Sequence, residues 1–224
     1  MHWLTRHRTR HSMGDLYLVA GLGNPGREYE HTRHNVGFMC ADALARAHGL
    51  AFDPKKRSKA RVAVGSVAGK RLVIAKPQTF MNLSGSTVQG LAAFYKIPPE
   101  HILVVYDDLD LPAGTLRIRP KGGSGGHKGM TDIIRRLGTQ DFPRIRFGIG
   151  RPPGKMDPAA FVLRPFDRDE LPQVQDSIDR VVGAIEAWLR EGIDIAMNRY
   201  NPANDNTNPA PERPGRPTTP DHLS

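Results

Sequence analysis

Apolar positions along this chain fall into two periodicities, and the two alternate. Continuous apolar runs at Asp15–Gly21 (DLYLVAG) and His101–Asp108 (HILVVYDD) have the length and boundaries of buried strands. Arg61–Val67 (RVAVGSV) and Arg71–Pro77 (RLVIAKP) flank the short connection Ala68-Gly69, a hairpin signal. Thr115–Pro120 (TLRIRP) is a short strand with its arginines on one face, and Arg144–Gly150 (RIRFGIG) is another. Between them the period lengthens to that of a helix. His31–His48 reads as a helix stopped by Gly49, and Ser86–Lys96 as one closed by Pro98-Pro99. His127–Gly138 places Met130, Ile133, Ile134 and Leu137 inward, with Gly138 as its stop. Asp169–Arg190 carries Leu171, Val174, Ile178, Val181, Ile185 and Leu189 on one stripe, and a shorter helix follows to Tyr200. The alternation predicts one α/β domain over residues 13–200, a mixed β-sheet sandwiched between helices.

Both ends fall outside this pattern. Residues 201–224 hold six of the 19 prolines and almost no large apolar side chain, so they form a disordered tail without surface to bury. Residues 1–12 (MHWLTRHRTRHS) read as a flexible basic extension or as an upstream start ahead of Met13, and they lack the apolar centre of a secretory signal. No stretch approaches the roughly 18 consecutive apolar residues of a membrane span. These features suit a cytoplasmic protein.

The chain of 224 residues carries a net charge of +9, most of it in the body. A basic body points to a polyanionic partner, nucleic acid before membrane. Cys40 is the one cysteine, so a disulfide framework is excluded. It lies on the stripe Val36, Cys40, Ala43, Leu44, Ala47 and reads as a small core residue.

Two glycine clusters invite a chemical reading. Gly21–Gly26 (GLGNPG) matches the dinucleotide fingerprint G-x-G-x-x-G after a strand. That fingerprint needs a helix opening inside the motif and an acidic residue about 20 positions on at a strand end. Here apolar periodicity resumes only at Val36, and Asp42 lies within a helix, so the context fails. The second cluster, Lys121–Asp132 (KGGSGGHKGMTD), misses the P-loop because His127 separates Gly126 from Lys128. It ends at a helix start beside Arg117, Arg119 and Lys121, a pattern that suits a phosphate backbone. His34, Asn82 and Asp107 stand at the ends of predicted elements, where sites gather in open α/β sheets. A histidine and a carboxylate there suit a general base oriented by an acid. His31 and His34 are poorly spaced for a metal, with no carboxylate cluster to complete a site. Residue chemistry alone reaches an RNA-binding α/β protein with a histidine base.

The segments GLGNPGREYEHTRHNVG, KPQTFMNLSG, YDDLDLPAGTLRIR, GGSGGHKGM and RIRFGIGRP occur in this order and spacing. Together they closely resemble the bacterial peptidyl-tRNA hydrolase family over residues 13–200. The resemblance implies hydrolysis of the ester joining a peptide to the tRNA 3′ ribose, which recycles tRNA in translation and in rescue of stalled ribosomes. It implies His34 as the base that activates water, Asp107 as the carboxylate that orients it, and Asn24 as the residue that tells blocked from free aminoacyl ends. Tyr29, Phe80 and Asn82 match positions that contact the acyl-tRNA terminus, with Asn82 a candidate oxyanion donor. Arg117, Arg119 and Arg146 match basic positions for tRNA phosphates. Lys128 stands where many members have asparagine; it brings a charge and cannot accept a hydrogen bond. The family further implies a monomer without metal or cofactor.

Overall fold

The apolar runs assemble into a six-stranded sheet of order β2-β3-β1-β4-β6-β5. The computed structural model describes residues 16–53 and 59–202. The strands are β1 (Leu16–Gly21), β2 (Ala60–Val67), β3 (Lys70–Pro77), β4 (Ile102–Asp108), β5 (Leu116–Arg119) and β6 (Arg144–Gly148). The four central strands β3, β1, β4 and β6 are parallel, and β2 and β5 run antiparallel at the two edges. The central strands are buried on both faces, which explains their unbroken apolar runs. Ala68 and Gly69 both take positive φ and close the β2–β3 hairpin as its sequence predicts.

Helices cover both faces. On one side α1 (Val36–Ala47) and α5 (Leu171–Glu191) pack on Val19, Leu72, Ile74, Leu103 and Val105. On the other, α2 (Ser84–Tyr95) and α3 (Lys128–Leu137) pack on Leu18, Ala20, Val73 and Val104. The alternating residues of each strand thus feed two cores, giving three layers. α4 (Pro158–Val162), which the sequence pattern did not predict, and α6 (Ile193–Tyr200) complete the chain. Cys40 is buried, and burial pushes its thiol pKa up. Among the described residues no helix is long and apolar enough to cross a membrane.

Three expectations change. The helix predicted from His31 begins at Val36, because Arg33–Asn35 forms a separate 3-10 turn whose side chains serve other elements. Leu171, expected on the inner stripe of α5, is half exposed at that helix's first turn. The tail boundary also moves. Asn201 lies against the body, its side chain accepting from Ile118 N–H at 2.7 Å and donating to Ile118 C=O at 3.2 Å. Residues 1–12 and 203–224 lie outside the described residues.

The packing of α1 explains the first glycine cluster. A Cβ on Gly21 would sit 2.1 Å from the carbonyl oxygen of Gly37, and one on Gly23 would sit 2.7 Å from the Phe38 ring. These glycines let α1 lie against the end of β1. They do not cradle a pyrophosphate, since the nearest α-helix starts at Val36. Gly37 is the reciprocal contact, with a Cβ falling 2.4 Å from Leu22 N and 2.5 Å from Val105 O. Gly37→Ala is expected to destabilise the fold by roughly 1–3 kcal/mol through overpacking against backbone, lowering Tm by about 2–4 °C per kcal/mol. Gly90→Ala is the control. It sits in α2 with nothing within 4 Å and should hold or raise Tm. Thermal unfolding of both variants checks the expectation, and equal shifts would contradict it.

Candidate active site

A cavity of about 770 Å³ opens at the carboxyl ends of the parallel strands. Each strand end delivers one side of it. β1 leads into the turn bearing Asn24, β3 into Phe80, Met81 and Asn82, and β4 ends in Asp107 and Asp108. His34 comes from the 3-10 turn before α1, Gly126 to Lys128 from the loop entering α3, and residues 157–163 form an outer wall.

Asp107 is 3 % exposed and carries the densest interactions of the site. His34 Nδ1 lies 2.8 and 2.9 Å from its two carboxylate oxygens. His127 Nε2 approaches Oδ1 at 3.1 Å. Burial alone raises the Asp107 pKa, but the two facing imidazoles outweigh it and hold the carboxyl well below the usual carboxylate range. An ionised carboxylate only accepts, so both imidazoles donate to it. The His34 proton is therefore on Nδ1, and Nε2 is left as the ring's acceptor on a side chain that lines the cavity.

The tautomer of His127 is set independently. Its Nδ1 accepts from the backbone N–H of Met130 at 3.2 Å, capping α3, so its proton lies on Nε2. The third amide of α3 is thereby occupied by the protein's own side chain. His34, Asp107 and His127 also form the one cluster of metal-ligating side chains among the described residues. A metal ion there would have to displace the protons that both imidazoles hold toward Asp107. Sequence reading missed His127 and treated it only as the residue that spoils a P-loop. Its position directly before a helical run was the available signal.

Asn24, the residue that the resemblance assigns to reading the aminoacyl end, is held inside its turn. It is 9 % exposed, and Asn35 clamps its backbone from both sides, accepting from its N–H at 2.8 Å and donating to its C=O at 3.0 Å. Asn24 Oδ1 accepts from Met81 N–H at 2.8 Å. What this side chain offers the cavity is its Nδ2 amide.

The remaining candidates divide. Phe80, Asn82 and Lys128 are exposed and line the cavity. Tyr29 lies outside the lining, in a 3-10 turn where its carbonyl caps Thr32. Arg117 and Arg119 on β5 share a sheet face with Arg144 and Arg146 on β6, where Arg117 is paired in register with Arg146. Arg146 bonds Asp108 at 2.5 Å and so borders the cavity. Arg144 is buried and donates to the carbonyls of Gly122, Gly123, Gln140 and Phe142, anchoring the glycine loop from beneath.

A three-layer α/β protein with an imidazole–carboxylate pair in a cavity at its parallel strand ends has the form of an enzyme. Residues 18–209 match the model of the peptidyl-tRNA hydrolase family. The chain is 53 % identical over 188 residues to "Peptidyl-tRNA hydrolase" of Chloroflexus aurantiacus, covering 84 % of this chain and all of that one. It is 49 % identical over 187 residues to the Rhodococcus opacus protein of the same name, covering 84 % of this chain and 98 % of the other. The crystal structure of peptidyl-tRNA hydrolase from Acinetobacter baumannii superposes with a TM-score of 0.79 at 34 % identity, covering 84 % of this chain and 96 % of that one. The chain belongs to the peptidyl-tRNA hydrolase family and is a hydrolase.

Proposed function

We propose that this protein hydrolyses the ester between peptide and tRNA, with His34 as the base and Asp107 as its orienting carboxylate. The observation that carries this reading is the His34–Asp107 pair. It leaves an acceptor nitrogen on a ring that lines the cavity. Nε2 takes a proton from water as the water oxygen bonds to the ester carbonyl carbon. Asp107 stabilises the imidazolium that forms. The bond from the carbonyl carbon to the ribose 3′-oxygen then breaks, and His34 returns its proton to that oxygen. Asn82 is exposed, lines the same cavity as the pair, and supplies an amide donor for the developing oxyanion.

Phe80 and Lys128 contact the acyl-tRNA end in this reading, Tyr29 meets the tRNA terminus from outside the cavity lining, and Arg117, Arg119 and Arg146 take tRNA phosphates. The enzyme acts as a cytoplasmic monomer without metal or cofactor, returning tRNA to translation and rescuing stalled ribosomes. Release of free tRNA from N-acetyl-aminoacyl-tRNA by purified protein, with and without chelator, tests it. Inert protein, or activity abolished by chelator, overturns it.

Discrimination falls to Asn24. Its Nδ2 donates to the acyl carbonyl of a blocked substrate, while a free α-ammonium gains nothing from another donor. Alanine at this position would also leave Met81 N–H unpaired, so Asn24→Asp is the cleaner variant. Aspartate keeps an acceptor for Met81 and turns the donor into a negative charge. The ratio of kcat/KM for N-acetyl-aminoacyl-tRNA over free aminoacyl-tRNA should fall by at least about tenfold, the scale of one specific hydrogen bond. A lower rate on both substrates at an unchanged ratio would make Asn24 a structural turn residue.

A further inference from the structure

The turn Arg33–Asn35 aims three consecutive side chains at three different elements. His34 faces Asp107, and Asn35 clamps Asn24. Arg33 points the other way, 2 % exposed, and the mechanism above makes no use of it. Its guanidinium pairs in bidentate fashion with Glu170, Nη1 to Oε1 at 2.9 Å and Nη2 to Oε2 at 2.7 Å. Nη2 also reaches Asp167 at 3.3 Å. The rings of Phe161 and Phe166 lie 4.6 and 4.8 Å from the guanidinium carbon. The backbone adds to this, since Arg33 N–H donates to Arg164 C=O at 2.9 Å and Thr32 bridges Pro165.

Every one of these partners belongs to residues 161–170, the stretch that runs out of the cavity's outer wall. Pro158, Ala159, Val162 and Leu163 of that wall line the cavity, and apart from Phe161 the wall itself has little buried surface. A five-residue helix with so small a core needs an external anchor to hold one position. A buried arginine with a two-point carboxylate match and aromatic faces on its guanidinium supplies a directional one.

We propose that Arg33 is a positioning residue that latches the cavity's outer wall to the turn bearing His34, holding the wall at the distance from the base at which it contacts bound substrate. Arg33 touches no reacting atom. It acts through the wall, so its effect falls on binding of substrate rather than on proton transfer. The kinetic part of this inference rests on the proposed function; the mechanical part does not.

The test uses the full chain with Glu170→Ala, which removes the latch from the wall side and leaves the His34 turn unaltered. Glu170→Gln retains one acceptor as an intermediate case. Two readouts are taken, amide hydrogen exchange of residues 159–163 and the separate kcat and KM for N-acetyl-aminoacyl-tRNA. We expect exchange in the wall to rise at least tenfold in Glu170→Ala, with β4 and α1 unchanged. KM should rise about tenfold with kcat within threefold, and Glu170→Gln should fall between. Unchanged exchange in the wall overturns the latch. Faster exchange with unchanged KM overturns the wall's contact with substrate. A fall in kcat at constant KM would mean that Arg33 acts on the base itself, which also overturns the proposal. If wild-type protein releases no tRNA, the functional reading fails, and the exchange data still decide whether the latch exists.

Discussion

His34→Ala is expected to lower kcat for release of tRNA from N-acetyl-aminoacyl-tRNA by at least about 100-fold, the usual scale of a lost general base. The chemistry has no substitute at that position. The other imidazole of the cluster, His127, has Nδ1 on Met130 N–H and Nε2 on Asp107, so neither nitrogen can take a proton from water. The fold should persist, because Asp107 keeps the hydrogen bond from His127 and His34 itself is only partly buried. KM should move little, since the base contributes to the transition state rather than to ground-state binding. Steady-state rates with a far-UV spectrum of the variant provide the check. A loss below about tenfold would remove His34 from the base role.

Asp107→Asn should cost about as much or more, on the order of 10² to 10⁴ in kcat, although it replaces one atom. The carboxylate accepts from two N–H donors, and an amide can accept only through its one oxygen. His34 lies within hydrogen-bond distance of both oxygens, so an NH₂ group would face its ring nitrogen. A donor there favours the tautomer with its proton on Nε2, which abolishes the base. Loss of the correct tautomer costs about 10⁴ in the serine protease triad. The same substitution should change the pH dependence of stability. The Asp107 pKa in the folded protein lies below its ordinary value of 3.8. Its contribution is therefore fully present above that value and is lost as pH falls through the folded pKa. Urea midpoints at pH 7, 5 and 3 should show this acid loss in wild type and its absence in Asp107→Asn. Parallel pH profiles would contradict the assignment.

The three-layer fold was legible in the sequence because each strand buried on both faces must be apolar throughout, and each helix must show a stripe. The site was legible only in part. His34 and Asp107 carry a recognisable polar signature at element ends, and the structure brings them together. His127 was passed over because its role depends on two partners, Asp107 and Met130, which lie on different elements. The anchoring of Asn24 was not legible, because it comes from Asn35 and Met81, neither of which its own neighbourhood reveals. Arg33 escaped for the same reason, since its partner Glu170 is 137 residues away. Helix α4 is five residues long, too short for a period to show, and it is placed by tertiary contact.

Asn201 closes the β5 side of the sheet in a way that bears on how molecules of this protein meet one another. Its amide pairs with both main-chain groups of Ile118, just as a neighbouring strand would. β5 is an edge strand of four residues, and an open edge is a template for pairing with another chain. One side chain occupies the middle of that template, and arginines at 117 and 119 flank it with like charge. Pairing of another strand in register along this margin would thus have to displace a side chain that the chain itself has already seated there.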